Sequence, residues 1–213
     1  MLSIHLELLD EKHRRVFDRL GALKEQLYLS GGTALSLQIA HRLSYDFDLF
    51  LSRALTRADR VKVKSLFRVD RVNLDIPDQL DLIVEDEVKI TLLYFQYQPS
   101  EPLVPTGSIG LASVTDIALD KAFSLGRRAV WRDYVDLFFL LRDWLSLDKV
   151  IELAGQKFGS DFNPKFFLEQ LCYFDDLELA PIAFLGSVVA PAEVKAFLLE
   201  CVRDFREREI PSF

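Results

Sequence analysis

The chain has 213 residues, 50% of them hydrophobic and 28% charged, and 26 Lys+Arg against 33 Asp+Glu give a net charge of −7. With 9 Gly and 8 Pro, neither a collagen-like repeat nor a low-complexity disordered chain fits, and the length suits one large domain or two small ones. The longest uncharged apolar run, Leu179 to Ala192, has 14 residues and is broken by Pro181 and Pro191, so no membrane-spanning helix is expected.

The N-terminus, MLSIHLELLDEKHRR, places charges where a signal peptide needs an apolar core, which predicts a cytoplasmic protein. Apolar positions such as Val16, Phe17, Leu20 and Leu23 recur at helical spacing before Leu27. Leu27 to Leu29 reads as a short strand, Gly31-Gly32 as a turn and Thr33 to His41 as a compact helix. Asp46 to Leu51 reads as a second strand, and Arg57 to Phe67 as a basic helix or a strand–helix mixture. Val72 to Ile76, Gln79 to Val84 and Val88 to Tyr97 are β-rich, the last two forming a hairpin around Glu85-Asp86-Glu87. Pro99 to Gly110 is a loop that marks a boundary.

Everything beyond that loop looks helical. Ser113 to Asp116 has the form of a capping box, Ile117 to Leu125 supplies its helix and Gly126 is placed to end it. Further helices are predicted over Arg132 to Trp144 and from Pro191 through Phe205. The fold class is therefore α+β: an α/β core over residues 1–105, then a helical half over 106–213. Cys172 and Cys201 are far apart and lack partners at metal-ligand spacing, and His5, His13 and His41 are scattered. A zinc hydrolase is excluded and a Ser/His/Asp arrangement disfavoured, so the chemistry should rest on carboxylates.

In a strand, Asp46 and Asp48 share a face, their α-carbons roughly 6–7 Å apart. Like charges that close favour a cation between them, and hard oxygen ligands suit Mg²⁺. Taken alone, a D-x-D pair also suits a solvated edge strand. Upstream, Gly31 and Gly32 let the backbone approach a ligand, and the first amides of the following helix point toward an anion. Residues 1–75 hold 13 Lys+Arg and 10 Asp+Glu, so the N-terminal part is the basic one. Within it, Arg53, Arg57, Arg60, Lys62, Lys64, Arg68 and Arg71 face only Asp59 and Asp70. That segment reads either as an RNA-backbone track or as a solvated face.

Ser30-Gly31-Gly32-Thr33, then His41-Arg42, then Asp46-Phe47-Asp48 together resemble the signature of the nucleotidyltransferase superfamily that includes DNA polymerase beta. More narrowly, GGTALSLQIAHRLSYDFDLF resembles the AbiEii/AbiGii abortive-infection toxin group. Two later stretches, Asp116 to Lys121 and Arg132-Asp133-Tyr134-Val135-Asp136-Leu137, are similar to that group's lysine and R-D-x-x-D-L motifs. The resemblance implies a mixed sheet with flanking helices and transfer of a nucleoside monophosphate from an NTP to an acceptor hydroxyl. Asp46 and Asp48 would hold Mg²⁺ or Mn²⁺, and Gly31, Gly32 and Thr33 the triphosphate. Lys121 and an arginine among Arg42, Arg128 and Arg132 would add positive charge, while Asp133 or Asp136 would take the acceptor's proton.

The resemblance also implies a toxin–antitoxin system, with tRNA as acceptor and an antitoxin protein as partner. Two other readings are a non-catalytic nucleotide- or protein-binding scaffold and a small-molecule nucleotidyltransferase. One departure stands out: superfamily members carry a third acid on a later strand, where Val88 to Leu93 offers Thr91 instead. Asp75, Asp81 or Glu85, or else Asp133 or Asp136, would then have to complete the metal shell. On the residues alone, Asp133 reads as a helix-dipole partner and Asp136 as an ion-pair partner of Arg132.

Overall fold

The computed structural model describes residues 3–125, 127 and 130–209. Two compact units make up the chain, Met1–Ser113 and Val114–Phe213. The sequence pattern places the boundary after residue 105. The observed one is later because Leu111 bridges Val104 and Leu29, tying residues 104–112 to the first unit.

The first unit is a five-stranded sheet of order β1-β2-β5-β4-β3, from strands β1 (Tyr28–Ser30), β2 (Phe47–Leu51), β3 (Val69–Ile76), β4 (Gln79–Val84) and β5 (Val88–Tyr94). β2 and β5 are parallel and the other pairs antiparallel, so the sheet is mixed, as expected. Alternation divides its faces. Phe47, Leu49, Leu51, Leu80, Leu82, Ile90 and Leu92 are buried, whereas Asp48, Phe50, Gln79, Asp81, Lys89 and Leu93 are only partly covered. Helix α1 (Glu11–Leu20) buries His13, Val16, Phe17 and Leu20, a single stripe, and Phe17 meets Phe47 with ring centroids 6.2 Å apart. Burying each of the apolar side chains in this stripe contributes about 1.5–3 kcal/mol.

Helix α2 (Gly31–Ile39) stops two residues before the expected His41, because Ala40 turns left-handed at φ 50. The open reading of the basic segment resolves as a helix, α3 (Arg57–Leu66), whose Thr56 and Asp59 form a capping box.

The second unit holds α4 (Val114–Leu125), α5 (Trp131–Asp143), α6 (Leu147–Phe158), α7 (Pro164–Leu171) and α8 (Pro191–Glu209). Buried Tyr134, Val135, Leu137, Phe138 and Leu140 make α5 its central helix. Phe138 meets Phe197 of α8 edge-on at 5.0 Å, and Phe123 of α4 stacks on Phe158 of α6 at 4.3 Å. Gly126, the expected helix end, lies outside the described residues. No described helix is long and apolar enough to cross a membrane.

Candidate functional site

Strand β1 runs into α2 without an intervening loop. Ser30 ends the strand and also occupies the N-cap position of the helix, and Gly31 opens the helix at φ +73. The glycines therefore form the first helical turn rather than a turn preceding a helix at Thr33. A left-handed φ at that point favours glycine, and space demands it as well. A Cβ on Gly31 would sit 2.8 Å from Asp48 Oδ2, and one on Gly32 would sit 2.6 Å from Arg42 Nη2 and 3.1 Å from Ser44 Oγ. The missing side chains thus bring the start of α2, with its outward amides and positive dipole end, against the Asp48 carboxylate and the buried Arg42 guanidinium.

Thr33 is buried, and its hydroxyl donates to the Asp46 carbonyl at 2.6 Å and lies 3.1 Å from Ser44 Oγ. The expectation gave this hydroxyl to the phosphates; in the structure it pins the peptide that presents Asp46. Asp46 itself stands just before β2, its side chain 46% exposed, with Lys89 Nζ 3.9 Å from Oδ2. Lys89 was not among the residues singled out from sequence. The face it shares with Thr91 on β5 was legible, but not its proximity to Asp46.

Register sets the rest of this face. Asp48 pairs with Ser30 on β1 and Thr91 on β5, and Thr91 pairs with Asp81 on β4. Directly paired residues point the same way, so Ser30, Asp48, Thr91 and Asp81 form one row. Of the three acids considered as substitutes in this unit, Asp75 is engaged by Arg60 and Lys64, each at 2.8 Å. Glu85 accepts from Arg19 at 2.7 Å and from the Arg68 amide at 2.9 Å. Asp81, which accepts from Gln79 at 2.8 Å, shares the row but lies one strand beyond Thr91. Among the described residues, no three His, Cys, Asp or Glu side chains gather closely enough to hold a metal ion.

Much of the basic segment's charge is answered within the fold. Arg53 grips Asp59 through two nitrogens at 2.6 and 2.8 Å, Arg60 and Lys64 share Asp75, and Arg68 pairs with Asp70 and Asp86. The Arg53 guanidinium, joined by the Thr56 hydroxyl and amide, holds the Asp59 carboxyl far below the usual carboxylate range. Arg57, Lys62 and Arg71 make no ion pair among the described residues, Arg71 donating to the Asn73 side-chain oxygen at 2.7 Å.

In the second unit, Lys121 on α4 places Nζ 2.5 Å from Asp133 Oδ1 and 2.6 Å from Asp136 Oδ2 on α5, all three buried. Asp133 and Asp136 lie one turn apart, so one ammonium spans both. Arg132, the partner that spacing suggested for Asp136, is exposed. A second lysine missed from sequence, Lys157 on α6, sits 2.8 Å from Asp116 and 2.7 Å from Asp120 on α4. The i, i+4 pair of aspartates on a largely apolar helix was the available signal, since buried carboxylates need a cation. Arg127 lies over the Phe123 ring at 3.8 Å, while Arg128 is outside the described residues.

The family model described as the nucleotidyl transferase AbiEii toxin of a type IV toxin–antitoxin system matches residues 15–98 and 69–213. The chain belongs to the AbiEii family. It is thus a nucleotidyltransferase of the toxin kind, as the resemblance implied. An uncharacterized protein of Aquifex aeolicus is 30% identical over 165 residues, spanning 70% of this AbiEii chain and 74% of that protein.

Solved structures share the fold. MenT4, a nucleotidyltransferase toxin of Mycobacterium tuberculosis, superposes with a TM-score of 0.64 at 17% identity over 89% of this chain and 81% of its own. A Helicobacter pylori protein described as a candidate nucleotidyltransferase superposes with a TM-score of 0.61 at 18% identity, covering 94% of this chain and 97% of that one.

Proposed function

We propose that this AbiEii-family protein uses a divalent metal ion, held by Asp46 and Asp48, to transfer a nucleoside monophosphate from an NTP to a terminal hydroxyl of tRNA. The carrying observation is the approach of the Asp48 carboxylate to the first turn of α2, so close that a Cβ on Gly31 would meet Oδ2 at 2.8 Å. Two carboxylates suit Mg²⁺ or Mn²⁺ that keep several waters and take further oxygens from phosphate. Such an ion, when bound, neutralises phosphate charge and stabilises the attacking and leaving oxygens.

The chain's own groups supply the positioning. The Gly31 and Gly32 backbone at the start of α2 receives the triphosphate, and the Arg42 guanidinium beside Gly32 adds positive charge to it. Thr33 orients Asp46 through its carbonyl. Arg128 and Arg132 remain proposed phosphate contacts. In the helical unit, Lys121, Asp133 and Asp136 remain proposed catalytic residues, the lysine ammonium holding both carboxylates in place. Arg57 and Lys62 on α3 and Arg71 on β3 support an RNA acceptor through phosphate contacts, a smaller set than the segment's seven cations suggested. The antitoxin of the system is the protein partner.

The test is label transfer from each α-labelled NTP, with Mg²⁺ or Mn²⁺, to total tRNA, for wild type, Asp46→Asn and Asp48→Asn. Label on tRNA that disappears in both variants is the expected result. Label in a small product would move the acceptor to a small molecule, and transfer that survives both substitutions would overturn the metal assignment.

A further inference from the structure

We propose that Lys89 makes the Asp46–Asp48 site discriminate against a bare divalent cation and in favour of the metal–nucleotide complex. The inference rests on the metal-site reading above and adds a selectivity residue to it. Lys89 Nζ stands 3.9 Å from Asp46 Oδ2, and Asp46 is its one acidic partner within ion-pair distance among the described residues. That separation is too long for a hydrogen bond, and the Lys89 side chain is 39% exposed. The ammonium is therefore an electrostatic neighbour on a flexible four-carbon stem, free to swing between ligands.

Charge bookkeeping on this face shows what the ammonium does. Lys89 and Thr91 lie two residues apart on β5 and share a face, and Thr91 is level with Asp48. Where a third carboxylate would have deepened the negative potential, the strand presents a hydroxyl and, one step along, a cation. The Lys89 ammonium beside Asp46 offsets part of the negative potential that a metal ion approaching that carboxylate would meet. A bare divalent ion settling on Asp46 is repelled by the neighbouring ammonium. A nucleoside triphosphate carrying one divalent ion is still an anion, and its phosphate oxygens attract the same ammonium. Lys89 thus acts with opposite sign on the two ligands, so the free toxin stays largely metal-free and the ion enters with its nucleotide.

The experiment measures Mn²⁺ binding to the full chain by titration, alone and with a non-hydrolysable α,β-methylene ATP, for wild type, Lys89→Met, Lys89→Arg and Asp48→Asn. Lys89→Met is expected to tighten Mn²⁺ alone by about three- to tenfold and to weaken the Mn²⁺–analogue complex by a similar factor, and Lys89→Arg to preserve both affinities. Unchanged affinities in Lys89→Met, or shifts of both ligands in one direction, overturn the role of Lys89. Asp48→Asn separates the two readings. If it abolishes Mn²⁺ binding while Lys89→Met changes nothing, only this inference falls; if it leaves Mn²⁺ binding intact, the metal site itself falls and Lys89 with it.

Discussion

Replacing Gly31 by alanine perturbs backbone and carboxylate together, and the two effects can be estimated separately. At φ +73 an added Cβ meets the left-handed penalty, about 1–2 kcal/mol. The same Cβ would lie 2.8 Å from Asp48 Oδ2, and ordinary contact begins at 3.4 Å, so the carboxylate must retreat by about 0.6 Å. Reacting groups tolerate displacements of about 0.5 Å, and about 1 Å costs on the order of a hundredfold in rate. Gly31→Ala should therefore lower Tm by about 2–8 °C and nucleotidyl transfer by about ten- to a hundredfold. Gly32→Ala, whose close contact is the far end of the Arg42 side chain, should be milder on both counts. Calorimetry reads the first effect; label transfer and growth arrest on induced expression read the second. A Gly31→Ala protein with wild-type Tm and wild-type toxicity would refute the claim that this glycine is required by both φ and the carboxylate.

Asp48→Asn keeps shape but removes charge, and should lower transfer by at least about a hundredfold in the same assay while leaving Tm within about 2 °C. Lys121→Met leaves Asp133 and Asp136 buried beside an apolar group and should cost about 3–5 kcal/mol in urea unfolding, partly recovered by adding Asp133→Asn. Because the Asp59 carboxyl is held below its ordinary value by Arg53, its contribution is intact above about pH 4 and declines as pH falls further. Asp59→Asn should accordingly cost about 1–2 kcal/mol at pH 7, with the gap to wild type narrowing in acid. Burial, with the charge of Asp133, pushes the Tyr134 phenol up to about 12, so folding keeps its proton while the unfolded chain ionises. Its contribution is present below about pH 10 and lost toward pH 12, and Tyr134→Phe should flatten that part of the stability profile.

Local chemistry was legible where one segment sufficed. The strand β4, the hairpin reversal at Glu85 to Glu87 and the start of α8 at Pro191 followed from alternation, charge and proline placement. The glycines, Asp46 and Asp48 were marked by residue type and spacing, yet their contact depends on β1 feeding α2 with no loop and on Ser30 pairing with Asp48. Partnerships across long separations were hidden. Nothing in the run from Leu147 to Phe158 says that Lys157 answers two aspartates on α4, or that Asp75 on β3 cancels two cations of α3. The basic segment stayed open between an RNA track and a solvated face for the same reason: counting charges along the chain cannot register acids that arrive from a neighbouring strand.

The short strand β1 is flanked on its outer side by returning chain: the Leu29 amide donates to Gly110 and the Leu29 carbonyl accepts from Ala112. A fragment ending at residue 105 would lose that strap and leave an open, self-complementary seam beside the glycines, inviting intermolecular zippering during refolding. A fragment carried through Ser113 keeps the seam sewn. Any dissection of this toxin for binding work should cut there.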